Sequence, residues 1–597
     1  MGAHPNDAPA GDARAYRHAF AWLPLVLGLA SLALGQDSNW DLRNYHLYNP
    51  YAWLHGRLGT DLAPAGLQSY FNPLLDVFQA GLYDWLPAPL VGFLLGWLQG
   101  LNAILLIAIG RRVLPVGTRA WPVIGLAAAG CMASGFLSEL GNTMGDNLTA
   151  LLVLGGLLLA LDADGSRDRR RLLGAGLLLG LATGLKLTNA LYALGLSVTL
   201  LLVPARSDRR LLPALWLGLG GVAGLALTSG YWFWHLWQLF GNPLFPQFGS
   251  LWPNPLASSM GVADLRFLPH DVWERLAWPL LIALEPSRVS ERPAAQLAWP
   301  VLYLLFLAWA VRDLWQRWRA APTPPLPWPA RCLAGFVGVS FVAWMTIFSI
   351  YRYLVPIELL APLLCWLLLR HVLPGPRWAR PAAVIVAAVA LVGLGGYRQD
   401  WGHAGWATSA FRVEQPPLPS DALAHGTVLL VGREPMAWRI PFLPGALAYV
   451  GIDTSFPAGP GYRPRVQAIL RQRGGRVWAM LAAADYPRGN YLDKLNHGAG
   501  LLGWNDDAAG CARLDRLRAR FHLRAQVTSP PAGGCRFDLR DQDRIDLASI
   551  DRATEAQALD MLAPYGLHLE PASCRRLGSW IGRSSAPYLW CVVTPTR

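Results

Sequence analysis

The feature that most constrains this chain is a series of apolar runs that recur through its first 396 residues, among them residues 19–35 and 90–110. A helix of roughly 20 residues spans the hydrocarbon core of a bilayer, and these runs have about that length. Charged side chains make up only 15% of the sequence, whereas an average soluble domain has about 25%. The sequence therefore predicts a polytopic α-helical membrane protein, excludes a disordered chain and disfavours a soluble enzyme.

The net charge of +13 is compatible with nucleic acid or an anionic surface as a partner. The positions of the basic residues distinguish these two partners. In the first two thirds of the chain they form short clusters between apolar runs, at 111–112, 167–171, 206–210 and 312–319. Clusters of this kind mark the cytoplasmic loops of membrane proteins. We therefore expect membrane lipid, and no nucleic acid, among the partners.

Placing every basic cluster in the cytoplasm gives a topology of eleven spans, with the N-terminus cytoplasmic and the tail outside. We expect these spans at 19–35, 88–109, 120–137, 147–162, two within 172–203, 211–229, 298–311, 331–350, 354–369 and 380–396. Two further apolar segments, 71–86 and 276–284, are either short helices or re-entrant, and periodicity does not separate these alternatives. The first span lacks a small-residue cleavage site after it, so we expect it to remain as an anchor. A proline-rich cytoplasmic linker is expected at 320–330, where a helix is excluded.

The composition changes after Gly396, which divides the chain into a transmembrane domain, 1–396, and an extracytoplasmic domain, 397–597. In the second domain, short β-type runs alternate with helical stretches, and this alternation predicts an α/β fold. The β-type runs are 427–432, 447–452 and 477–482, and the helical stretches are 462–472 and 508–521.

Four of the seven cysteines lie in this second domain: Cys511, Cys535, Cys574 and Cys591. An even number of cysteines in an oxidising compartment permits two disulfides. Among the three possible connectivities, the order along the chain favours Cys511 with Cys535 and Cys574 with Cys591. Four unpaired cysteines are the alternative, and metal ligation is disfavoured because no C-x-x-C motif or neighbouring histidine pair is present.

Polar residues at the ends of membrane spans carry most of the functional information in such a chain, and here most of them fall on the outer side. The first outer loop begins with the polar and aromatic segment 36–51, which contains Asp37 and Asp41. If this segment is helical, Asp41, Asn44, Tyr45 and Tyr48 share one face, giving an amphipathic helix at the membrane interface. The alternative is a surface helix in which the acidic residue only complements the helix dipole.

The second outer loop contains two carboxylates, Glu139 and Asp146, and Asp146 begins a span. Such a pair can hold a divalent cation through oxygen ligands, or Asp146 can simply cap the next helix. Lys186 follows in the next outer turn. Snorkelling would explain a lysine at the interface without any function, but its outer position runs against the inside bias of the other cations.

Two further outer features complete the set of candidates. Asn242 lies in the motif at 241–246, after a tryptophan-rich stretch, where Asn-Pro is also a plain turn signal. Arg352 and Tyr353 lie between two spans. An arginine suits a phosphate group because its planar fork donates two hydrogen bonds at once.

Taken in order, these motifs resemble the integral-membrane glycosyltransferases of the GT-C class, which use polyprenyl-phosphate sugars. The resemblance extends over most of residues 1–396. It rests on the segment 37–41, the loop 139–146, Gly-Leu-Lys-Leu-Thr at 184–188, Gly-Asn-Pro-Leu-Phe-Pro at 241–246, and Arg352-Tyr353. The adjacent Asp-Glu pair of the protein mannosyltransferases and aminoarabinose transferases is replaced here by the separated Asp37 and Asp41.

The resemblance implies transfer of a hexosyl or pentosyl group, with inversion, from a lipid-phosphate donor to an acceptor hydroxyl of unknown identity. It implies a bacterial inner membrane location, with the C-terminal domain in the periplasm. Asp41 would be the general base, with Asp37 in reserve, while Lys186 and Arg352 would neutralise the departing phosphate. Tyr45, His46, Asn242 and Tyr353 would contact substrate. Glu139 and Asp146 would bind Mg²⁺ or Mn²⁺ or position the acceptor.

Two readings from other classes compete with this one. A transporter or flippase of lipid-linked glycans would also be polytopic with charged residues near a cavity. Alternating-access carriers, however, place their site near the membrane midplane between repeats, and no clear internal repeat is visible here. A non-catalytic assembly or anchoring protein would act through its tail, and Asp41 would then be dispensable.

Overall fold

The computed structural model describes residues 10–163, 168–203, 211–261, 264–319, 325–396, 401–419, 423–530 and 533–596. The predictions made for 1–9, Arg167, 206–210 and 320–324 lie outside these residues. The exclusion of a helix from 320–330 is wrong at its end, because an α-helix begins at Trp328. Pro329 lies in the first turn of that helix, where a missing N–H costs no hydrogen bond.

Helices dominate the first 396 residues, as the apolar runs predicted. The helices are α1 Ala10–Leu34, α2 Tyr48–Leu54, α3 Leu74–Trp85, α4 Ala88–Gly100, α5 Asn102–Val113, α6 Ala120–Cys131, α7 Ser134–Ser138, α8 Asp146–Leu161, α9 Arg169–Leu185, α10 Ala190–Leu202, α11 Leu211–Phe240, α12 Val272–Leu284, α13 Ala298–Trp318, α14 Trp328–Ile347, α15 Val355–Val372, α16 Ala379–Gly396, α17 Tyr462–Arg473, α18 Pro487–Leu501, α19 Ala508–Arg520 and α20 Leu547–Leu562.

Strands occur mainly in the C-terminal region. They are β1 Gln36–Asp37, β2 His403–Ala404, β3 Phe411–Val413, β4 Thr427–Val431, β5 Ala448–Ile452, β6 Val477–Ala482, β7 Gln526–Thr528, β8 Arg536–Asp538, β9 Leu567–Leu569, β10 Arg575–Leu577, β11 Ser579–Ile581, β12 Ser584–Ser585 and β13 Tyr588–Pro595.

The chain is a multi-pass membrane protein. Within the described residues, 7 helical segments are long and apolar enough to cross a membrane: Gly11–Leu34, Ala88–Val113, Leu211–Phe240, Ala298–Trp318, Trp328–Ile347, Tyr351–Val372 and Pro376–Gly396. Shorter apolar helices lie at Ala120–Cys131, Asp146–Leu161 and Leu187–Leu202. Helical structure thus occupies each expected span, while the count of eleven crossings stays a prediction.

The fold divides into two compact units. The first, which we call the helical unit, consists of Met1–Ala33, Phe93–His235 and Gly261–Trp401. The second, the mixed unit, consists of Leu34–Gly92, Leu236–Met260 and Gly402–Arg597. The change of unit at residues 401 and 402 lies five positions after the boundary expected at residues 396 and 397, and the mixed unit also takes in two segments that the sequence placed in outer loops.

In the helical unit, α15 forms the centre of the bundle. Almost all of its side chains from Val355 to Leu369 are buried, and it packs against α6, α8, α13 and α16. An apolar run that is buried on every face needs no amphipathic pattern, which is why the sequence of α15 shows none.

A seam of small residues joins α9 to α11 in the helical unit. A methyl group added at Gly180 would come within 2.0 Å of the Gly221 carbonyl oxygen, and one at Gly220 within 2.1 Å of the Leu173 carbonyl oxygen. Residues without a side chain at these positions let two helix backbones approach closely, as in other membrane helix pairs. This contact fixes the position of α9, whose last turn precedes Lys186.

Several helices begin after an aspartate whose side chain accepts a hydrogen bond from a backbone N–H of the first turn. Asp168 accepts from Arg171 before α9, and Asp271 accepts from Glu274 before α12. In the mixed unit, Asp507 and Asp546 cap α19 and α20 in the same way. Each cap satisfies a donor that has no partner within the helix, so the sequence itself sets where these helices start.

The mixed unit contains a central sheet with the strand order β10–β13–β6–β4–β5, and β9 also pairs with β13. Strand β4 is parallel to both β5 and β6, and β13 is antiparallel to β6. Helix α17 lies between β5 and β6 in the chain. Strands β4, β5 and β6 coincide with the three predicted β-type runs, and α17 and α19 coincide with the predicted helices, so the α/β prediction is confirmed.

The segment 34–92 is part of the mixed unit because it pairs with the edge of this sheet. Arg57 Nη2 lies 2.7 Å from Asp61 Oδ1, and the same guanidinium donates to the carbonyl oxygens of Gly445 and Leu447 at 2.5 Å. Asp61 in turn accepts from the backbone N–H of Tyr449 at 2.9 Å. This buried ion pair is fully hydrogen-bonded, the condition under which such a pair is tolerated in an interior.

A second cluster of the mixed unit is built from α18, α19, β7 and β8, around the buried side chains of Leu492, Leu514 and Phe537. The Cys511–Cys535 disulfide belongs to this cluster, and Cys574–Cys591 joins the start of β10 to β13. Both disulfides are the pairs that the order along the chain favoured.

The expectation of an amphipathic helix at 36–51 is wrong. Residues Leu42–His46 form a π-helical turn, and an α-helix begins only at Tyr48. A π-turn has a longer repeat than an α-turn, so the assumed i, i+3, i+4 spacing does not hold. Nearly every side chain from 41 to 50 is buried, which leaves no solvated face.

Candidate active site

The loop that carries the two predicted carboxylates ends in a sharp turn before α8. Gly145 has φ of +87°, a left-handed conformation that glycine adopts without steric cost. The turn places Asp146 in the first turn of α8, where the helix dipole favours a negative charge. Asp146 is nonetheless almost completely buried, so its charge requires a partner.

Lys186 is that partner. Its Nζ lies 2.5 Å from Asp146 Oδ2 and donates to the Met144 carbonyl oxygen at 2.8 Å. The backbone N–H of Lys186 closes the last turn of α9 on the Ala182 carbonyl, so the end of that helix sets the position of the side chain. The ammonium also lies 5.4 Å from the centre of the Tyr353 ring, within the range of a cation–π contact.

Arg352 adds a second cation from the 3₁₀ turn between α14 and α15. Its guanidinium lies 5.2 Å from the centre of the Tyr353 ring and 5.4 Å from that of Trp401. One of its terminal nitrogens donates to Met144 Sδ at 3.4 Å. Its other terminal nitrogen lies 3.5 Å from Tyr353 Oη.

Glu139 lies beside these three charged groups and is fully buried. Burial raises the pKa of its carboxyl group well above the usual range, and the charge of Asp146 raises it further. Lys186 and Arg352 oppose this rise, which shows that both cations lie close to the acid. A raised pKa of one carboxyl group is expected when two carboxyl groups share one buried site.

The donor set at this site does not fit a divalent cation. Mg²⁺ prefers about six oxygen ligands in near-octahedral geometry. Here Asp146 is already bound by an ammonium group, and burial favours the neutral form of Glu139. Among the described residues no group of three or more His, Cys, Asp and Glu side chains is placed to hold a metal. The metal role of Glu139 and Asp146 stays a prediction, and we derive no step through it.

A buried amide network holds the loop 139–147 in place. Gln99 accepts from the Gly141 backbone N–H at 2.7 Å and donates to the Asn142 carbonyl at 3.1 Å. Asn102 donates to the Asn147 carbonyl oxygen at 2.9 Å. These residues were not predicted as site residues, although a polar side chain inside an apolar run such as 90–110 is a signal of function.

A buried carboxylate supports Arg352 from the next helix. Glu358, in the first turn of α15, accepts from Tyr351 Oη and from the Gly135 backbone N–H at 3.1 Å. Tyr351 directly precedes Arg352, so this contact connects the arginine turn to α7. Glu358 is the one acidic residue of the expected span 354–369. A lone carboxyl group inside an apolar run is a signal of function, but Glu358 was not predicted as a site residue.

A second ion pair lies at the other end of α8, away from Asp146. Arg112, at the end of α5, lies 2.7 Å from Asp162, which follows α8. The cluster of Glu139, Asp146, Lys186 and Arg352 therefore lies at one end of the bundle, and the predicted cytoplasmic residues Arg111–Arg112 lie at the other. The sequence predicted Asp146 and Arg112 on opposite sides of the membrane, and their positions at opposite ends of the bundle are consistent with that prediction.

The remaining predicted residues lie in the mixed unit. Asp37 accepts from the backbone N–H of Asn39 at 2.9 Å and from its side chain at 2.8 Å. Both bonds form a local turn, which is an ordinary structural task for an aspartate. Asp41 lies at the start of the π-helical turn and makes no side-chain bond to the first backbone N–H groups there.

His46 is buried and its Nδ1 lies 2.6 Å from Asp76 Oδ1. A carboxylate in this position fixes the tautomer and orientation of an imidazole. The Tyr45 ring lies 4.1 Å from the His46 ring and makes an edge contact with Phe71. Asp76 was not predicted as a site residue, because the sequence did not assign a structure to the segment 71–86 that contains it.

Asn242 is occupied by the loop that contains it. Its side chain donates to the Gln247 carbonyl at 2.8 Å and accepts from the Leu244 backbone N–H at 2.9 Å. These bonds satisfy the amide within the turn, so we do not carry its predicted substrate contact into the proposed mechanism.

Searches against family models and against curated proteins give no match. Among solved structures, the chain is similar to the crystal structure of ArnT from Cupriavidus metallidurans bound to undecaprenyl phosphate. The identity is 16% and the TM-score 0.43, over 89% of this chain and 100% of that one. The chain is also similar to the cryo-EM structure of the arabinofuranosyltransferase AftD from Mycobacteria, with 16% identity and a TM-score of 0.44 over 77% of this chain and 35% of that one. At such values, the functional assignment has to come from the residues of this chain.

Proposed function

We propose that the chain is a glycosyltransferase that transfers a sugar from a polyprenyl-phosphate donor to an acceptor hydroxyl, with inversion, at the periplasmic face of the bacterial inner membrane. The observation that supports this most directly is the buried cluster of Lys186 and Arg352 beside Asp146 and Glu139 at one end of the bundle. Two cations held at the end of a helical bundle suit an anionic group at the surface of a bilayer. The orientation follows from the basic loops at the opposite end.

The chemistry needs a place for the phosphate that leaves. As the bond between the anomeric carbon and the phosphate oxygen breaks, negative charge grows on that oxygen, and fixed cations stabilise it most in the transition state. An ammonium has three donors, and Lys186 uses two of them on Asp146 and Met144. The third donor, together with the fork of Arg352, would bind the phosphate.

The carboxyl groups set the charge balance of this site. Asp146 compensates one of the two cations and holds Lys186 in a fixed position, and Glu139 in its neutral form adds a donor without adding charge. The cluster then carries one net positive charge before the donor arrives. One net positive charge attracts a phosphate group. When no phosphate is bound, only one of the two cations lacks a compensating carboxylate.

Asp41 is the proposed general base. As the acceptor oxygen attacks the anomeric carbon, its proton passes to the Asp41 carboxylate, and the polyprenyl phosphate departs with the electron pair of the broken bond. Asp37, which accepts two hydrogen bonds from Asn39, is the reserve candidate. The donor sugar and the acceptor are not specified by these residues.

Neutral replacements test the phosphate site. We expect Lys186→Gln and Arg352→Gln each to lower kcat/KM for the lipid donor by about tenfold or more, since charged hydrogen bonds contribute roughly 1.5–3 kcal/mol. Arg112→Gln is the matched control, because it removes an arginine ion pair at the opposite end of the bundle. Donor kinetics unchanged in both Lys186 and Arg352 variants would remove these residues from the site.

A further inference from the structure

The mixed unit contains an open cleft that the proposed transfer chemistry does not use. One wall is the sheet of β3, β11 and β12, with Arg412, Trp580 and Arg583. The other wall is one face of α18, where Asp493, Asn496, His497 and Gly500 follow at helical spacing, and Arg536 of β8 adds to the lining. The cleft has a volume of about 1010 Å³, which is at the upper end of the roughly 300–1,000 Å³ of small-molecule sites.

Three arginines make the cleft positively charged. Seven nearby arginines lie within 4 Å of an aspartate: Arg488, Arg513, Arg518, Arg540, Arg544, Arg552 and Arg576. Among the described residues, the three cleft arginines Arg412, Arg536 and Arg583 have no such carboxylate. The same is true of Arg516, Arg520 and Arg575, which lie on α19 and β10 and do not line the cleft. Three guanidinium groups in one cleft, with two lining aspartates, leave a net positive charge.

Two of these guanidinium groups are held in fixed positions. Arg412 stacks on Trp580, its cross-strand neighbour, with 3.7 Å between the guanidinium carbon and the ring centre. Arg583 Nε donates to the Trp406 carbonyl oxygen at 2.8 Å, which leaves its two terminal nitrogens for a ligand. A fixed planar fork binds a carboxylate or phosphate through two parallel bonds and loses little side-chain entropy.

The rest of the lining is mixed, with hydroxyl, carboxylate and amide groups beside Ala407, Pro530 and several glycines. They include Thr408, Ser409, Asp493 and Asn505, and Asn505 Oδ1 is a buried acceptor without a hydrogen-bond partner. Arg412 covers one face of the Trp580 ring, and Gly578 lies close to the same ring. A negatively charged saccharide has both groups that this lining can bind. Its hydroxyl groups can donate to the acceptors, and its anionic group can accept from the fixed guanidinium groups.

We propose that this cleft binds an anionic saccharide through Arg412, Arg536 and Arg583, with its sugar hydroxyls on the polar lining. The assignment of this saccharide as part of the glycosyl acceptor rests on the proposed function, whereas the binding of the anion does not. A uronic acid carboxylate and a sugar phosphate supply the same chemistry to the guanidinium groups, so the ligands are chosen to separate them.

Titration calorimetry on the full-length chain in detergent tests the cleft without any donor. Trigalacturonate, maltotriose carrying one phosphate and neutral maltotriose are the three probes. We expect at least one anionic probe to bind about tenfold more tightly than the neutral one, and added salt to weaken that binding. The preferred anionic probe identifies the source of the charge.

Substitutions localise the binding. Arg412→Gln and Arg583→Gln should each weaken the anionic probe by about tenfold, and Arg412→Lys should recover only part of the loss because a lysine lacks the fork. Arg471→Gln, an exposed arginine of α17 that does not line the cleft, is the matched control. Thermal unfolding identifies any variant that fails to fold.

Three results would overturn the proposal. These are equal binding of charged and neutral probes, no binding of either anionic probe, or binding that survives both glutamine substitutions. A short-chain phosphatidylglycerol that binds the cleft at least as tightly as the saccharides, and displaces them, would reassign the cleft to lipid headgroups.

The two proposals can fail independently. If the chain binds the anionic saccharide but transfers no sugar, the cleft assignment stands and the proposed function is rejected. If the chain transfers sugar but binds no saccharide, the proposed function stands and the cleft assignment is rejected.

Discussion

Lysine is used sparingly in this chain. It has only two lysines, Lys186 and Lys494, among 51 basic residues. An ammonium is a compact point charge that can donate hydrogen bonds in several directions, whereas the planar fork of a guanidinium suits a planar partner. At Lys186 the ammonium contacts a carboxylate and a carbonyl oxygen at once, in a space that leaves its side chain 15% exposed. The residue type therefore fits the crowded position between α8 and α9.

Glu139 gives a prediction about pH. Its folded-state pKa is raised well above the usual value by burial, so between the two values the folded protein holds a proton that the unfolded chain has lost. Stability contributed by this group is therefore lost as the pH rises from about 4.3 toward the folded pKa. We expect Glu139→Gln to flatten the fall of the melting temperature between pH 5 and pH 8, measured by thermal unfolding in detergent.

Asp541→Asn serves as the control for this experiment, because Asp541 is 90% exposed in a turn of the mixed unit. That variant should keep the pH dependence of the wild type. A Glu139→Gln chain that melts with the slope of the wild type at every pH would show that the acid is not held neutral in the folded protein.

The helical unit brings together five of the residues that were selected because they lie between apolar runs on one side: Glu139, Asp146, Lys186, Arg352 and Tyr353. Their roles in a substrate site stay a prediction. The partners of these residues were not predicted. Gln99 and Glu358 lie inside apolar runs, and which polar group an isolated side chain meets depends on helix rotation, which the sequence pattern of a fully buried helix does not reveal.

At the scale of elements, the close packing of α9 against α11 gives a second prediction. A methyl group at Gly180 would meet the backbone of Gly221 and Leu225, which has no flexible end to move aside. We expect Gly180→Ala to destabilise the protein by about 1–3 kcal/mol through overpacking. Because α9 ends at Lys186, the same change should lower donor use, measured by thermal unfolding and by kcat/KM.

Gly218→Ala on α11 is the matched control, since its added methyl group would meet nothing within 4 Å. Alanine has the higher helix propensity, so this variant should be as stable as the wild type or slightly more stable. Equal stability of the two alanine variants would contradict the close approach of α9 and α11.

The elements themselves followed from length and composition in most places. Runs of about 20 apolar residues form helices, and the short β-type runs form β4, β5 and β6. The turn at Leu42–His46 was not predicted, because no local signal separates a π-turn from an α-turn in a buried aromatic segment. Helices α18 and α20 were also missed, since their mixed composition shows no strong apolar period.

At the scale of the molecule, the mixed unit is assembled from three separate segments of the chain. Its main apolar core joins Tyr45 and Tyr48 from the first segment to Val428, Met480 and Trp590 from the sheet. A composition change marks where the tail begins, but it carries no information about which loops pack with that tail. The sequence therefore indicated the tail domain and did not indicate the part contributed by 34–92.

This arrangement predicts the outcome of truncation. A chain that ends at Gly396 loses the sheet against which Tyr45 and Tyr48 are buried, and the buried Arg57–Asp61 pair loses its three backbone partners. We expect this truncated chain to aggregate in detergent, and co-expression of 397–597 as a second chain to restore a monodisperse particle in size-exclusion chromatography. A monodisperse and active truncated chain would show that the segment 34–92 folds without the sheet.

The central claim is that this chain transfers a sugar from a polyprenyl phosphate with Asp41 as the base. The most direct measurement is transfer of labelled sugar from a panel of polyprenyl-phosphate donors by the purified full-length chain, with Asp41→Asn beside it. We predict turnover of at least one donor by the wild type and a loss of about 10²-fold or more in the variant. Turnover of no donor by either chain, with lipid still bound, would contradict the account and favour a transporter or an assembly protein, and equal turnover by both would reject Asp41 as the base.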